Sequence, residues 1–152
     1  MAPEHIIHTL STSAPKLVKT DDAYAYLHQG DWIAGGCALY AIGLLTLLGK
    51  SVRLLAFESI NGIEHISVVY MRHIAVVYMR HIAVVYMRHI ADADGLHTIQ
   101  AMKQKLLNEF GVRVTSTRSI TLKLLFQESQ LIDASWETNE FSSFLGQHLK
   151  EE

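Results

Sequence analysis

Asp31-Trp-Ile-Ala-Gly-Gly-Cys-Ala-Leu-Tyr-Ala-Ile-Gly-Leu-Leu-Thr-Leu-Leu-Gly-Lys50 is the stretch around which the rest of the chain is organised. Ala34-Gly35-Gly36 forms a small-residue turn that delivers Cys37, the only cysteine, to the first turn of an apolar segment. Cys37 to Leu48 is predicted to be helical, and Gly49 stands where a helix C-terminus favours a residue that tolerates positive φ. A helix that is apolar all round belongs at the centre of a domain. A thiol at its N-terminus faces unpaired backbone N–H groups and the positive end of the helix dipole, and both favour the nucleophilic thiolate. The same N–H groups suit an oxyanion formed when that thiolate attacks a carbonyl. The plainer reading of the same cysteine is a small buried hydrophobe.

The uncharged run is close to the roughly 18 residues of a minimal membrane span. Four glycines interrupt it, however, no basic cluster flanks it and no second span follows, so no membrane association is expected. At 152 residues the chain is one domain's worth, with room for a real core. Its 49% hydrophobic and 18% charged content describes a globular protein. A formal net charge of −2 gives no electrostatic case for nucleic acid. A lone cysteine suits a reducing compartment, and the N-terminus lacks the basic-then-apolar layout of a signal peptide, so a cytoplasmic location is expected.

Around this centre the other elements are read from capping and periodicity. Ser11 to Pro15 marks a loop, Thr20 caps a short helix over Ala23 to His28, and Ser51 to Phe57 reads as a strand. Asn61-Gly62 signals a hairpin turn. Thr98 caps a helix from Ile99 to Phe110 that Gly111 ends. Val112 to Thr115 reads as a short strand, Ile120 to Ile132 fits helix or strand, and Glu137 to Leu149 closes the chain with an amphipathic helix.

Between these lies a tandem repeat. His65-Ile-Ser-Val-Val-Tyr-Met-Arg72 is followed by His-Ile-Ala-Val-Val-Tyr-Met-Arg twice, then by His89-Ile-Ala-Asp-Ala-Asp-Gly95. An even period of eight preserves the two faces of a strand, whereas in a helix it drifts by about 80° per copy. One straight strand over residues 65–91 would run roughly 90 Å, against about 30 Å for a domain of this size. The surplus copies are therefore expected to form a ribbon, to pair with one another, or to exchange between chains. The last makes a homo-oligomer through the repeat strand a candidate assembly. His65, His73, His81, His89 and His97 recur every eight residues, but neighbours on an extended strand lie about 26 Å apart. Metal–nitrogen bonds are about 2 Å, so no metal site is expected. Arg72, Arg80 and Arg88 read as a solvated edge rather than a nucleic-acid ladder.

A nucleophilic cysteine needs a base and a group to orient that base. The order Gly36-Cys37-Ala38-Leu39-Tyr40-Ala41, then His-Ile-(Ser/Ala)-Val-Val, then Asp92-Ala93-Asp94-Gly95 resembles the papain-like cysteine hydrolases in their compact bacterial and phage form, over roughly Asp31 to Gly95. The resemblance implies an α+β fold, with the central apolar helix carrying Cys37 packed on an antiparallel sheet and residues 65–91 extending a strand or ribbon. It implies thiol-dependent attack on a peptide, amide or related acyl bond, without a cofactor. The catalytic set it implies is Cys37 as nucleophile, a repeat histidine as base and Asp92 as orienter, with Asp94 in reserve and Gln29 as an oxyanion-hole donor. His65 keeps the relation to the Asn61-Gly62 turn, and His81 keeps an eleven-residue spacing to Asp92. His81 is preferred, because base and orienter must share one rigid hairpin, with His65 next. The competing expectation is a non-catalytic interaction protein on the same fold, whose expanded strand drives self-association. The repeat implies a fold that needs one copy, so a chain shortened by sixteen residues should fold at least as stably, as read from its chemical-denaturation midpoint.

Overall fold

The computed structural model of the chain describes residues 3–28, 31–32, 36–78, 81–128 and 131–149, and within residues 71–88 it describes the backbone. The architecture is α+β: a five-stranded antiparallel sheet, in the order β4-β3-β2-β1-β5, with helices on both faces. The strands are β1 (Val52–Ser59), β2 (Gly62–Tyr78), β3 (His81–Asp92), β4 (Gly95–His97) and β5 (Ser116–Ile120). The helices are α1 (Pro3–His8), α2 (Ala14–Val18), α3 (Asp21–Tyr24), α4 (Cys37–Leu48), α5 (Ile99–Phe110), α6 (Leu122–Glu128) and α7 (Thr138–His148). Among the described residues no helix is long and apolar enough to cross a membrane.

α4 is the core of the larger layer. Every residue from Cys37 to Leu44 is buried, on one side by Leu54, Ala56, Ile66 and Val68 of the sheet and on the other by Phe141, Phe144 and Leu145 of α7. Gly43 lets α7 approach this closely, since a Cβ there would fall 2.6 Å from Leu145 Cδ1 and 2.7 Å from Phe141 Cε2. Gly36 is fixed the same way by Leu27 and by the Asp31 carbonyl, which accepts its N–H at 2.8 Å. The other face of the sheet is covered by α5, whose Met102 and Leu106 pack on Leu55, Phe57, Val69 and Ile90. Alternation along β2 thus sends Ile66 and Val68 toward α4, and Val69, with Ser67 and His65, toward α5.

The repeat copies pair with one another. β2 and β3 keep one antiparallel register from Val68↔Ala91 through Tyr70↔His89 to Tyr78↔His81. The surplus length is thereby split evenly, and the chain forms a long two-stranded ribbon. β1 pairs with β2 only as far as Val52↔Tyr70, and β4 with β3 only from Ile90↔His97.

Several boundaries depart from sequence expectation. The segment expected to be helical over Ala23 to His28 is instead helical over Asp21–Tyr24, with the Thr20 hydroxyl accepting the Ala23 N–H. Val112 to Thr115 is not a strand: Val112 N–H returns to the Leu106 carbonyl to close the end of α5. The strand follows it, where Ile120 pairs with Leu54 and Ser116 with Glu58. Helix wins over Leu122–Glu128, started by the Thr121 hydroxyl that accepts the Leu124 N–H.

The register makes a differential prediction. Deleting residues 73–88 leaves Met71-Arg72 between paired Tyr70 and His89, the same two residue types that separate paired Tyr78 from His81. Deleting only residues 73–80 leaves Ala83-Val84 between Ile82 and Val85, and a β-branched residue is poorly suited to a two-residue turn. The sixteen-residue deletion should keep the denaturation midpoint, and the eight-residue deletion should lower it. Equal loss in both would contradict the register.

Candidate functional site

Three residues singled out in the sequence converge where β2 and β3 part company at the base of the ribbon. Cys37 begins α4, His65 lies near the start of β2 and Asp92 ends β3, and all three are at most 2% exposed. The Cys37 thiol meets the N–H of Ile66, the peptide that joins His65 to Ile66, and is close enough to Asp92 to feel its charge. The His65 ring sits on the α5 face, edge-on to Phe57 with centroids 5.6 Å apart. Thiol and imidazole therefore approach β2 from opposite faces and meet it at the same peptide. Among the described residues no hydrogen bond joins Cys37 to an imidazole.

Around His65 and Asp92 the partners are specific. His65 Nε2 lies 2.8 Å from Ser67 Oγ and 3.9 Å from Asp92 Oδ2, beyond hydrogen-bond reach of the carboxylate. Asp92 Oδ1 accepts the Asp94 N–H at 2.8 Å and faces His97 Nε2 at 3.0 Å, whereas Oδ2 has no hydrogen-bond partner among the described residues. Tyr40, one helical turn on from Cys37, is also buried, and its hydroxyl has no hydrogen-bond partner among the described residues.

The electrostatics correct the expected thiolate. Burial pushes the Cys37 thiol from 9.0 up to about 11, and the Asp92 charge adds to the rise. The N–H groups of Ile66, Ala38 and Cys37 itself pull the other way and do not offset it. Desolvation of a charged sulfur exceeds what a helix N-terminus contributes, about 0.3–1 kcal/mol in ordinary settings. Burial also carries His65 down from 6.5 to about 4, against the upward pull of Asp92. At neutral pH Cys37 rests as a thiol and His65 as a neutral imidazole. His97 moves the other way, raised by its hydrogen bond to Asp92. Burial and the Asp92 charge push the Tyr40 hydroxyl up, so it stays protonated.

His81, the preferred base, is corrected by the fold. It opens β3 opposite Tyr78, and Asp92 closes the same strand. Eleven residues of strand separate the two by roughly 36 Å. His65 stands beside Asp92 instead, because antiparallel pairing folds 27 residues of sequence back on themselves. Asp94 is held chiefly by lysines: burial would raise its carboxyl, but Lys105, assisted by Lys19 at 3.9 Å and by the nearby His97, holds it below the usual range. Gln29 lies outside the described residues, as do the side chains of His73 and His81.

Sequence reading missed Ser67, His97 and Tyr40. For Ser67 a signal existed, since it marks the one position where the first repeat differs from the later copies, which carry Ala75 and Ala83. His97 reaches Asp92 through the turn at Asp94-Gly95, where Gly95 takes φ 109° and sends β4 back along β3. Tyr40 carried no signal beyond its place one turn from the cysteine.

A cavity of about 260 Å³ is lined by Asp31 and Trp32, upstream of the cysteine in the chain, by Ala93 and Asp94, which follow Asp92, and by Lys105 and Phe110; Cys37, His65 and Asp92 do not line it. Among the described residues no group of three His, Cys, Asp or Glu side chains is arranged to hold a metal ion. No protein-family model, curated protein or solved structure matches this chain.

Burial of neutral His65 sets an acid limit on stability. Its folded value of about 4 lies below the unfolded 6.5, so between these the unfolded chain binds the extra proton and stability falls as pH falls. The loss approaches about 3 kcal/mol by pH 4. His97, raised rather than lowered, contributes with the opposite sign, in favour of the folded state at low pH. Thermal melts from pH 7 to 4 should show the fall, and His65→Gln should flatten it. An unchanged slope in that variant would remove His65 as the cause.

Proposed function

We propose that the chain is a thiol-dependent hydrolase of papain-like type, acting in the cytoplasm on a peptide, amide or related acyl bond. One observation carries this reading: Asp92, buried at the base of the hairpin, lies 3.9 Å from His65 and close enough to Cys37 at the start of α4 for its charge to act on the thiol. The roles follow from the atoms. With Nε2 turned to Ser67 and Asp92, His65 offers Nδ1 as the base. Sulfur attacks the carbonyl carbon as Cys37 gives up its proton, and the carbonyl electron pair moves to oxygen; because thiol and imidazole rest on opposite faces of β2, the transfer to His65 requires the imidazole to swing around the start of that strand. N–H groups at the helix start, Cys37 and Ala38, suit the resulting oxyanion. Collapse breaks the bond to the leaving group, which takes the proton from His65. Water then attacks the thioester, gives its proton to His65, and releases the acid and the thiol. Asp92 stabilises the imidazolium that forms transiently. The resting thiol is un-ionised, so sulfur attacks as it loses its proton to the base rather than as a pre-formed thiolate. Nucleic acid and membrane have no place in this reading.

The buried, protonated state of Cys37 favours a second reading, a structural thiol on a non-catalytic interaction domain. p-Nitrophenyl acetate separates the two. The hydrolase should turn it over repeatedly, with Cys37→Ala inactive, His65→Ala slowed by about 10²-fold or more, and Asp92→Asn slowed as well. A structural thiol would give at most one acetyl group per chain and no further release. Iodoacetamide labelling of the resting protein should be slow at neutral pH and rise toward the thiol value of about 11.

A further inference from the structure

We propose that the β2–β3 ribbon is a self-association surface, and that its occupant is the ribbon of a second copy of this chain. β1 leaves β2 at Tyr70, and β4 leaves β3 at Ile90. Beyond these points, among the described residues, Met71–Tyr78 and His81–His89 pair only with each other. Each arm therefore carries a row of outward backbone N–H and C=O groups about 26 Å long. A two-stranded ribbon is marginal in water by itself, and long strand edges are usually blunted or covered. Residues 73–88 hold no proline, no glycine and no acidic residue, and arginines at 80 and 88 are their only fixed charges.

The sequence selects the occupant. Because the repeat period is eight, a second ribbon matches this one in faces and spacing, and a slip of one repeat restores the match. Antiparallel pairing of like edges places residue i opposite j and j opposite i, so the contact closes as a symmetric dimer. The charge on the ribbon is of one sign, carried by arginines, so repulsion opposes the dimer and salt relieves it. An acidic macromolecule held at those arginines would behave the other way, weakening as salt rises.

Sedimentation velocity on the full chain across a concentration series, at low and high sodium chloride, tests this. A species of twice the chain mass should grow with concentration and with salt. Deleting residues 73–88 should leave a monomer. Val76→Lys with Val84→Lys, which leaves the ribbon length unchanged, should shift the equilibrium toward monomer and keeps the test valid if the deletion fails to fold. A full chain that stays monomeric, or deletion and lysine variants that dimerise as well as the parent, would overturn the proposal. Iodoacetamide labelling of Cys37 in the same variants should not change, so the outcome is independent of the hydrolase reading.

Discussion

One antiparallel register, β2 on β3, is the constraint from which the rest of the molecule follows. It holds His65 and Asp92 side by side although 27 residues of chain separate them, because eight surplus residues enter each arm and cancel across the ribbon. An insertion placed in one arm alone would have to be absorbed by a bulge or a slip. A slip by an odd number of residues would turn every side chain to the wrong face. The tandem unit therefore lengthens the ribbon without disturbing its base.

At that base two opposing effects decide the state of the thiol. The helix start and the Ile66 N–H favour the anion, and desolvation opposes it. A rise from 9.0 to about 11 corresponds to about 3 kcal/mol against ionisation. The same burial that makes α4 an efficient core helix thus silences its cysteine at rest. His65 meets the matching penalty and stays neutral, while His97, partly exposed and bonded to the carboxylate, keeps its proton more readily.

The flanking elements serve this arrangement through close approach. α7 reaches α4 through the missing Cβ of Gly43, and the turn at Gly36 ties the cysteine to the Asp31 carbonyl. Lys105 of α5 and Lys19, at the end of α2, both hold Asp94, which fixes the turn carrying Asp92's neighbour. Trp32 stacks on Phe141 with ring centroids 5.0 Å apart, so the cavity wall it forms is also part of the α4–α7 core.

Much of this was legible in the chain itself. An apolar run with glycine at both ends set the range of α4, Thr98 and Gly111 set the range of α5, and an even repeat period set strand over helix. These are local properties of backbone capping and side-chain alternation. Spacing misled where three-dimensional pairing mattered. Eleven residues to Asp92 favoured His81, yet only the hairpin register determines which imidazole returns to the carboxylate, and it returns His65. The protonation state of Cys37 was likewise beyond the sequence, since desolvation depends on what packs over the sulfur rather than on what precedes it in the chain. Local pattern chose the elements; cross-strand pairing and burial chose which side chains meet and in what charge state.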